Sequence, residues 1–241
     1  MLRLLLTCEH GGNNVPAAYN PLFEEHQALL ASHEGYDIGA KDLYLELEDL
    51  AQKSFLADTT RLLVELNRSL HHKQLFSSIT RKLPEQEKQQ ILKEHYKPYR
   101  ERVESLVHDF VMAGRQVLHI AVHTFTPVLH EEERIGDIGL LYDPSRSSEQ
   151  AFCRAWKQQL HQLDPDVLVR YNYPYLGISD GFPTYLRRKF NDRQYMGIEL
   201  EVNQKFPLGD PQQWAHLKQL IKQSLQQTLQ PYRDREKDNP A

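Results

Sequence analysis

Two histidines and a pair of glutamates stand at the ends of apolar runs far apart in this chain, and together they could hold a metal ion and move a proton. In LLLTCEHGGNNVP, Leu4 to Pro16, an apolar run closes on Glu9 and His10 and then breaks into two glycines, two asparagines and a proline. In QVLHIAVHTFTP a second run, Val117 to Val122, closes on His123, with Thr124, Thr126 and Pro127 stopping it. In YMGIELEVNQ the period of a strand puts Glu199 and Glu201 on one face. Imidazole is the commonest metal ligand among side chains, and a carboxylate beside a metal can act as a general base. Gly11 and Gly12, without Cβ, would let a substrate's polar atoms approach the backbone. One histidine after a strand is more often a hydrogen-bonded structural residue, so the chemistry rests on the three segments meeting.

Parallel strands would make them meet, because in open α/β sheets the ligand crevice lies outside the carboxyl ends of the strands. Strands are expected at Leu4–Cys8, Ser54–Ala57, Leu62–Leu66, Val117–Val122, the IGLLYD run and Val167–Tyr171, with Glu199 and Glu201 on a further one. Helices are expected from Ala40 to Lys53, from Pro84 to Gly114 with a kink or break at Pro98, from Ser148 to Leu163 and from Pro211 to about Leu229; a weaker one spans Glu24 to Ser32. Strands alternating with helices argue for a three-layer αβα sandwich with a mostly parallel mixed sheet. Residues 1–230 read as one catalytic domain and 231–241 as a charged, disordered tail.

Between the elements stand further candidates. Asp37 precedes the Ala40 helix and could equally cap it or face a metal. Arg68, beside Asn67, is a fork of donors suited to a carboxylate, or else a surface arginine paired with a neighbouring acid. NYPYLGISDGF is too elaborate for a connector and reads as a wall over the site. Arg187, Arg188, Lys189 and Arg193 could bind an anion, but a solvated helix face is the commoner setting for such a cluster.

The chain has 241 residues, 40% of them apolar and 26% charged, with a formal net charge of −4, which gives no reason to expect nucleic acid as a partner. Cys8 and Cys153 make neither a disulfide framework nor a CxxC metal site, and no apolar run approaches the roughly 18 residues of a membrane span. The opening MLRLLLTC runs straight into the candidate site and reads as a first strand, so a cytoplasmic protein is expected. Oligomeric state is left open.

In the order CEHGGNNVP, HEGYDIGA, RLLVELNRS, HTFTP, NYPYLGISDG and GIELEVNQ, roughly Cys8 to Gln204, the chain resembles the N-formylglutamate amidohydrolases. The wider pattern is similar to aspartoacylases and zinc carboxypeptidases. The resemblance implies a zinc carboxypeptidase-like fold and one zinc per chain, held by His10, His123 and a third ligand. Carboxypeptidase-like sites carry a glutamate three residues after the first histidine, and here that residue is Asn13, a poor zinc ligand. Asp37 is therefore the expected third ligand, with Glu9 in reserve. Glu201 is the expected general base, and Arg61 the expected oxyanion donor. Asn67 and Arg68 would hold the carboxylate of a small N-acyl amino acid, with Tyr173, Tyr175 and Asp180 as walls. Hydrolysis of N-formylglutamate to formate and glutamate is the leading expectation. The alternatives are a zinc carboxypeptidase, a deacylase for another N-acyl amino acid or peptide, and a non-catalytic metal or anion binding protein. Glu201 argues against the last, since metal storage has no use for an extra carboxylate beside the water.

Overall fold

The computed structural model describes residues 1–238. Six strands form one sheet: β1 (Leu2–Cys8), β2 (Lys53–Leu56), β3 (Gln116–Phe125), β4 (Ile138–Leu141), β5 (Val169–Tyr171) and β6 (Tyr195–Asn203). Their order is β2-β1-β3-β6-β4-β5. Strands β2, β1, β3 and β6 run parallel, whereas β4 is antiparallel to β6 and β5 is parallel to β4. The expected mostly parallel mixed sheet is thus what forms.

Alternation along the strands divides the side chains between two helical layers. Leu4, Leu6, Leu118, Ile120, Ile198 and Leu200 point to one face, where α1 (Ala40–Leu47), α3 (Ser147–Leu163) and α5 (Pro211–Asp238) bury Leu43, Leu47, Trp156, Leu160 and Ile221 against them. Leu5, Val117 and Tyr195 point to the other, against Val103 and Val107 of α2 (Lys97–Met112) and Phe182 and Leu186 of α4 (Phe182–Arg187). The same odd-numbered face carries the polar residues. Register places Leu5, His119 and Gly197 in one row, Thr7, Ala121 and Glu199 in the next, and it pairs His123 with Glu201. Chain order reverses about β1, since the chain leaves β1 for β2 on one side and returns to β3 on the other, and such switch points open a crevice at the strand ends.

Four segments differ from the sequence reading. Leu62–Leu66 is not a strand: its apolar side chains are buried, but its backbone closes on local turns, Leu63 N–H to Thr60 O and Arg68 N–H to Glu65 O. Strand β3 does not stop before His123 but continues to Phe125, because β6 pairs with it through Asn203. The stretch from Pro84 is a helix over Glu85–Ile91, a wider π turn at Leu92–Tyr96, and then α2 with Pro98 in its first turn, so the helix widens ahead of the proline and does not break there. The last helix does not end near Leu229 but runs through Pro231 to Asp238, so that the segment expected as a tail is helical over 231–238; residues 239–241 lie outside the described residues.

Candidate active site

The carboxyl ends of β1, β3 and β6 deliver His10, His123 and Glu201 to one cavity of about 200 Å³, which Asp37, Arg61, Asn67, Arg68, Tyr175, Asp180 and Glu199 also line. His10 and His123 aim the same nitrogen at the same oxygen. His10 Nδ1 lies 3.2 Å and His123 Nδ1 2.9 Å from Asp37 Oδ2. Among the described residues these three form a group whose ligand atoms all lie within 4.8 Å of one another.

The opposite edges of both rings face buried carboxylates. His10 Nε2 donates to Glu65 Oε1, and His123 Nε2 lies 3.2 Å from Glu9 Oε2, close enough for an ion pair though not aligned for a hydrogen bond. A carboxylate at Nε2 favours a proton there, so that Nδ1, which here faces Asp37 as a hydrogen-bond donor, could give up its own proton and bind a metal, the usual setting of a metal-bound imidazole. The donor set of two imidazoles and one carboxylate fits zinc with an open position.

Asp37 is a ligand candidate and not a cap. The residue before α1 is Gly39, in the left-handed region at φ 86°, and no side chain caps the helix. Asp37 is held in place by its N–H, which donates to His10 O, and by Arg61 Nη1, 3.1 Å from Oδ1. Burial would raise its pKa, but His10, His123 and Arg61 outweigh that and hold it well below the ordinary range. Asn13 stays out of the site and donates to Leu30 O. Glu9, the reserve ligand, stands behind His123 and accepts from Tyr99 OH at 3.1 Å; burial opposes its ionisation, yet His123 brings its pKa down to about 2.

Glu201 is the contrasting carboxylate. Burial, with Asp37 and Glu199 adding to it, pushes its pKa up to about 8, and its Oε2 is buried with no hydrogen-bond partner. An orphaned acceptor in a cavity wall beside a metal-type donor set is what a general base for a bound water needs. Glu199, one step deeper on the same face, is already engaged, accepting from Asn67 Nδ2 at 2.9 Å.

Three expected roles change with the geometry. Arg61 was expected at the oxyanion, but its Nε and Nη2 face Glu65 Oε2 at 2.8 and 2.5 Å and its Nη1 faces Asp37, so it braces the two carboxylates around His10. Asn67 was expected on the substrate, but its amide is spent between Glu199 and the Phe182 N–H. Tyr173 does not line the cavity; its ring packs edge-on against Phe125 and under Arg170. Tyr175 and Asp180 do line it. Asp180 turns its carboxylate to Ser69 N–H and its carbonyl to Arg68 Nη1, at 2.9 and 2.8 Å. Arg68 lines the cavity too, and no carboxylate pairs with it among the described residues.

Two more readings shift. Gly12 is required by the segment that follows β2 and not by a substrate, since a Cβ there would sit 2.6 Å from Asp58 O. Arg187 is not a solvated residue but is buried against Glu149 and donates to the carbonyls of Gly177 and Gly197, tying the Tyr175 loop to β6. Glu65 is the residue at this site that the sequence reading missed. Its signal was a lone carboxylate inside the apolar run RLLVELN, which burial obliges to find partners.

Comparison with known proteins gives the family. The N-formylglutamate amidohydrolase family model matches residues 2–207. Among solved structures, a gene product from Agrobacterium tumefaciens is similar at 25% identity and a TM-score of 0.76, over 93% of this chain and 91% of that one. An N-formylglutamate amidohydrolase from Ralstonia eutropha is similar in fold at 15% identity and a TM-score of 0.71, over 97% and 95%. No curated protein matches the chain. Among the described residues no helix is long and apolar enough to cross a membrane. The match over most of its length means that this chain belongs to the N-formylglutamate amidohydrolase family, hydrolases of amide C–N bonds.

Proposed function

We propose that the protein is a zinc-dependent amidohydrolase that removes the formyl group of an N-formyl acidic amino acid, with N-formylglutamate as substrate and formate and glutamate as products. The observation that carries this reading is the convergence of His10 Nδ1, His123 Nδ1 and Asp37 in one cavity with the unpartnered Glu201 oxygen. The family match supports the substrate.

His10, His123 and Asp37 would hold the metal, which when bound lowers the pKa of water from 15.7 to about 7 and polarises the amide carbonyl. Glu65 and Glu9 keep the two imidazoles in the ligating tautomer, and Arg61 keeps Asp37 and Glu65 ionised and in place. Glu201 takes a proton from the attacking water and delivers it to the departing amine nitrogen. Without a cation burial keeps a proton on this carboxyl, and a cation alongside would lower its pKa and leave it ionised, as a group that accepts a proton must be. Arg68, without a carboxylate of its own, takes the substrate's carboxylate at the cavity wall and turns the formyl carbon toward the metal. Asn67 is assigned to positioning Glu199 and the start of α4. Tyr175 and Asp180 bound the amino-acid side of the cavity.

Elemental analysis of purified wild type, His10→Ala, His123→Ala and Asp37→Ala tests the metal centre, and a panel of N-acyl amino acids tests the substrate. About one zinc per wild-type chain, lost in the histidine variants, with fastest turnover of N-formylglutamate, is the expected result. Full metal occupancy in both histidine variants would overturn the site. Retention in Asp37→Ala alone would reassign only the third ligand. Faster turnover of another N-acyl group would move the protein to a deacylase reading.

A further inference from the structure

Beside the cavity at the strand ends lies a larger one of about 510 Å³, and Arg61, Arg68 and Tyr175 line both. The inner space of about 200 Å³ falls below the roughly 300–1,000 Å³ usual for larger ligands and suits a single N-formyl amino acid. The outer space is then left over, and its charge is one-sided. Of the carboxylates that line it, Asp37 and Glu65 are already paired with Arg61, which leaves Glu34 alone. Against that single carboxylate stand Arg68, Lys73 and Arg81, none of which has a carboxylate partner among the described residues. Lys73 and Arg81 come from the turn-rich segment after the Arg68 loop and are exposed, so they stay hydrated until a ligand arrives.

We propose that the outer cavity is an anion subsite for substrates extended on the amine side through the side-chain carboxyl, N-formyl γ-glutamyl peptides in which the first α-carboxylate stays free for Arg68 and a carboxylate of the next residue is held between Lys73 and Arg81. The direction follows from the formyl-amide reading of the inner site, on which this inference rests. A formyl group has no atoms beyond its carbonyl, so any added length must lie on the amine side and leave the inner cavity past Arg68. Excess positive charge around an open vestibule also raises the local concentration of anions, an effect that fades with salt.

Titration calorimetry with glutamate and with γ-glutamylglutamate, neither of which carries a scissile formyl group and both of which keep the first α-carboxylate, separates this subsite from catalysis. In the wild-type protein the dipeptide is expected to bind about tenfold more tightly than the amino acid at low salt, with the advantage shrinking as salt rises. In the Lys73→Ala/Arg81→Ala double variant the advantage should vanish while glutamate affinity stays within about twofold, since neither residue lines the inner cavity. Equal affinities in the wild type, no measurable binding of the dipeptide, or an advantage that survives the double substitution overturns the proposal. If N-formylglutamate is not hydrolysed and yet the dipeptide advantage appears and is lost with the two cations, the reading of the inner site fails and the anion subsite stands.

Discussion

Glu65→Gln is the perturbation that asks most of the structural reasoning, because this residue touches no substrate and its effect should nevertheless reach the metal. The side chain lies under His10 and accepts from His10 Nε2, from Arg61 Nε and Nη2 and from the Asn67 N–H. Burial disfavours its ionisation, but Arg61 and His10 outweigh burial and hold its pKa well below the ordinary carboxylate value. Glutamine keeps the shape, removes the charge and has one acceptor oxygen in place of two; the oxygen left on the Arg61 side satisfies the two cationic N–H groups that share Oε2, and the amide NH2 then replaces the acceptor that His10 Nε2 and the Asn67 N–H share at Oε1. Carboxylates behind a ligating histidine are worth about 10–100-fold in metal affinity, or roughly 1.4–2.7 kcal/mol. The metal-free fold should also lose stability, because breaking a buried ion pair costs about 3–5 kcal/mol, which the partial exposure of Arg61 and its remaining partner Asp37 reduce to about half. Zinc affinity measured by competition with a chelator, alongside urea unfolding of the metal-free protein, reads the two effects separately. A zinc affinity within threefold of wild type would refute the claim that Glu65 orients His10.

Arg68→Ala should raise KM with a loss on the order of 2–5 kcal/mol in kcat/KM, and amidating the substrate's α-carboxylate should mimic it; a variant that still discriminates against the amide as sharply as wild type would place the carboxylate elsewhere. Glu201 also gives a pH signature in the metal-free protein. Its pKa moves from an ordinary 4.5 to about 8 on folding, so between those values the folded chain holds a proton that the unfolded chain has released, and stability falls as pH rises. Glu201→Gln lacks this titration, so its stability relative to wild type should grow by a few kcal/mol between pH 5 and 8, as read by urea unfolding at fixed ionic strength, and a flat difference would remove the assignment. Glu199→Gln should leave zinc bound and change kcat far less than Glu201→Gln, because Asn67 already occupies Glu199.

What the sequence made legible was whatever periodicity or a chain break signals locally. The apolar runs ending in His10 and His123 and the two-residue spacing of Glu199 and Glu201 pointed to one sheet edge, and register does pair His123 with Glu201. Asp37 stood open between cap and ligand because a carboxylate before a helix serves either purpose, and only the distance to both histidines decides it. The run Leu62–Leu66 misled because buried turns and buried strands share the same apolar composition; reading it as a strand hid Glu65 and left Asn67 and Arg61 looking free for substrate. Partners of such polar residues come from segments more than a hundred positions away, Glu199 and Phe182 in the case of Asn67, and no local pattern records them. Tyr173 and Tyr175 are two apart in an irregular loop, so nothing in their spacing distinguishes the ring that packs on Phe125 from the one that lines the cavity.

Formate release from N-formylglutamate by wild type and Glu201→Gln, compared at equal zinc content, tests the central claim most directly. The account predicts that the variant binds zinc as the wild type does and that its kcat falls by about 10²–10⁴, since the substitution keeps the shape of the side chain and removes the proton acceptor. A zinc-loaded Glu201→Gln enzyme that releases formate at the wild-type rate would contradict it.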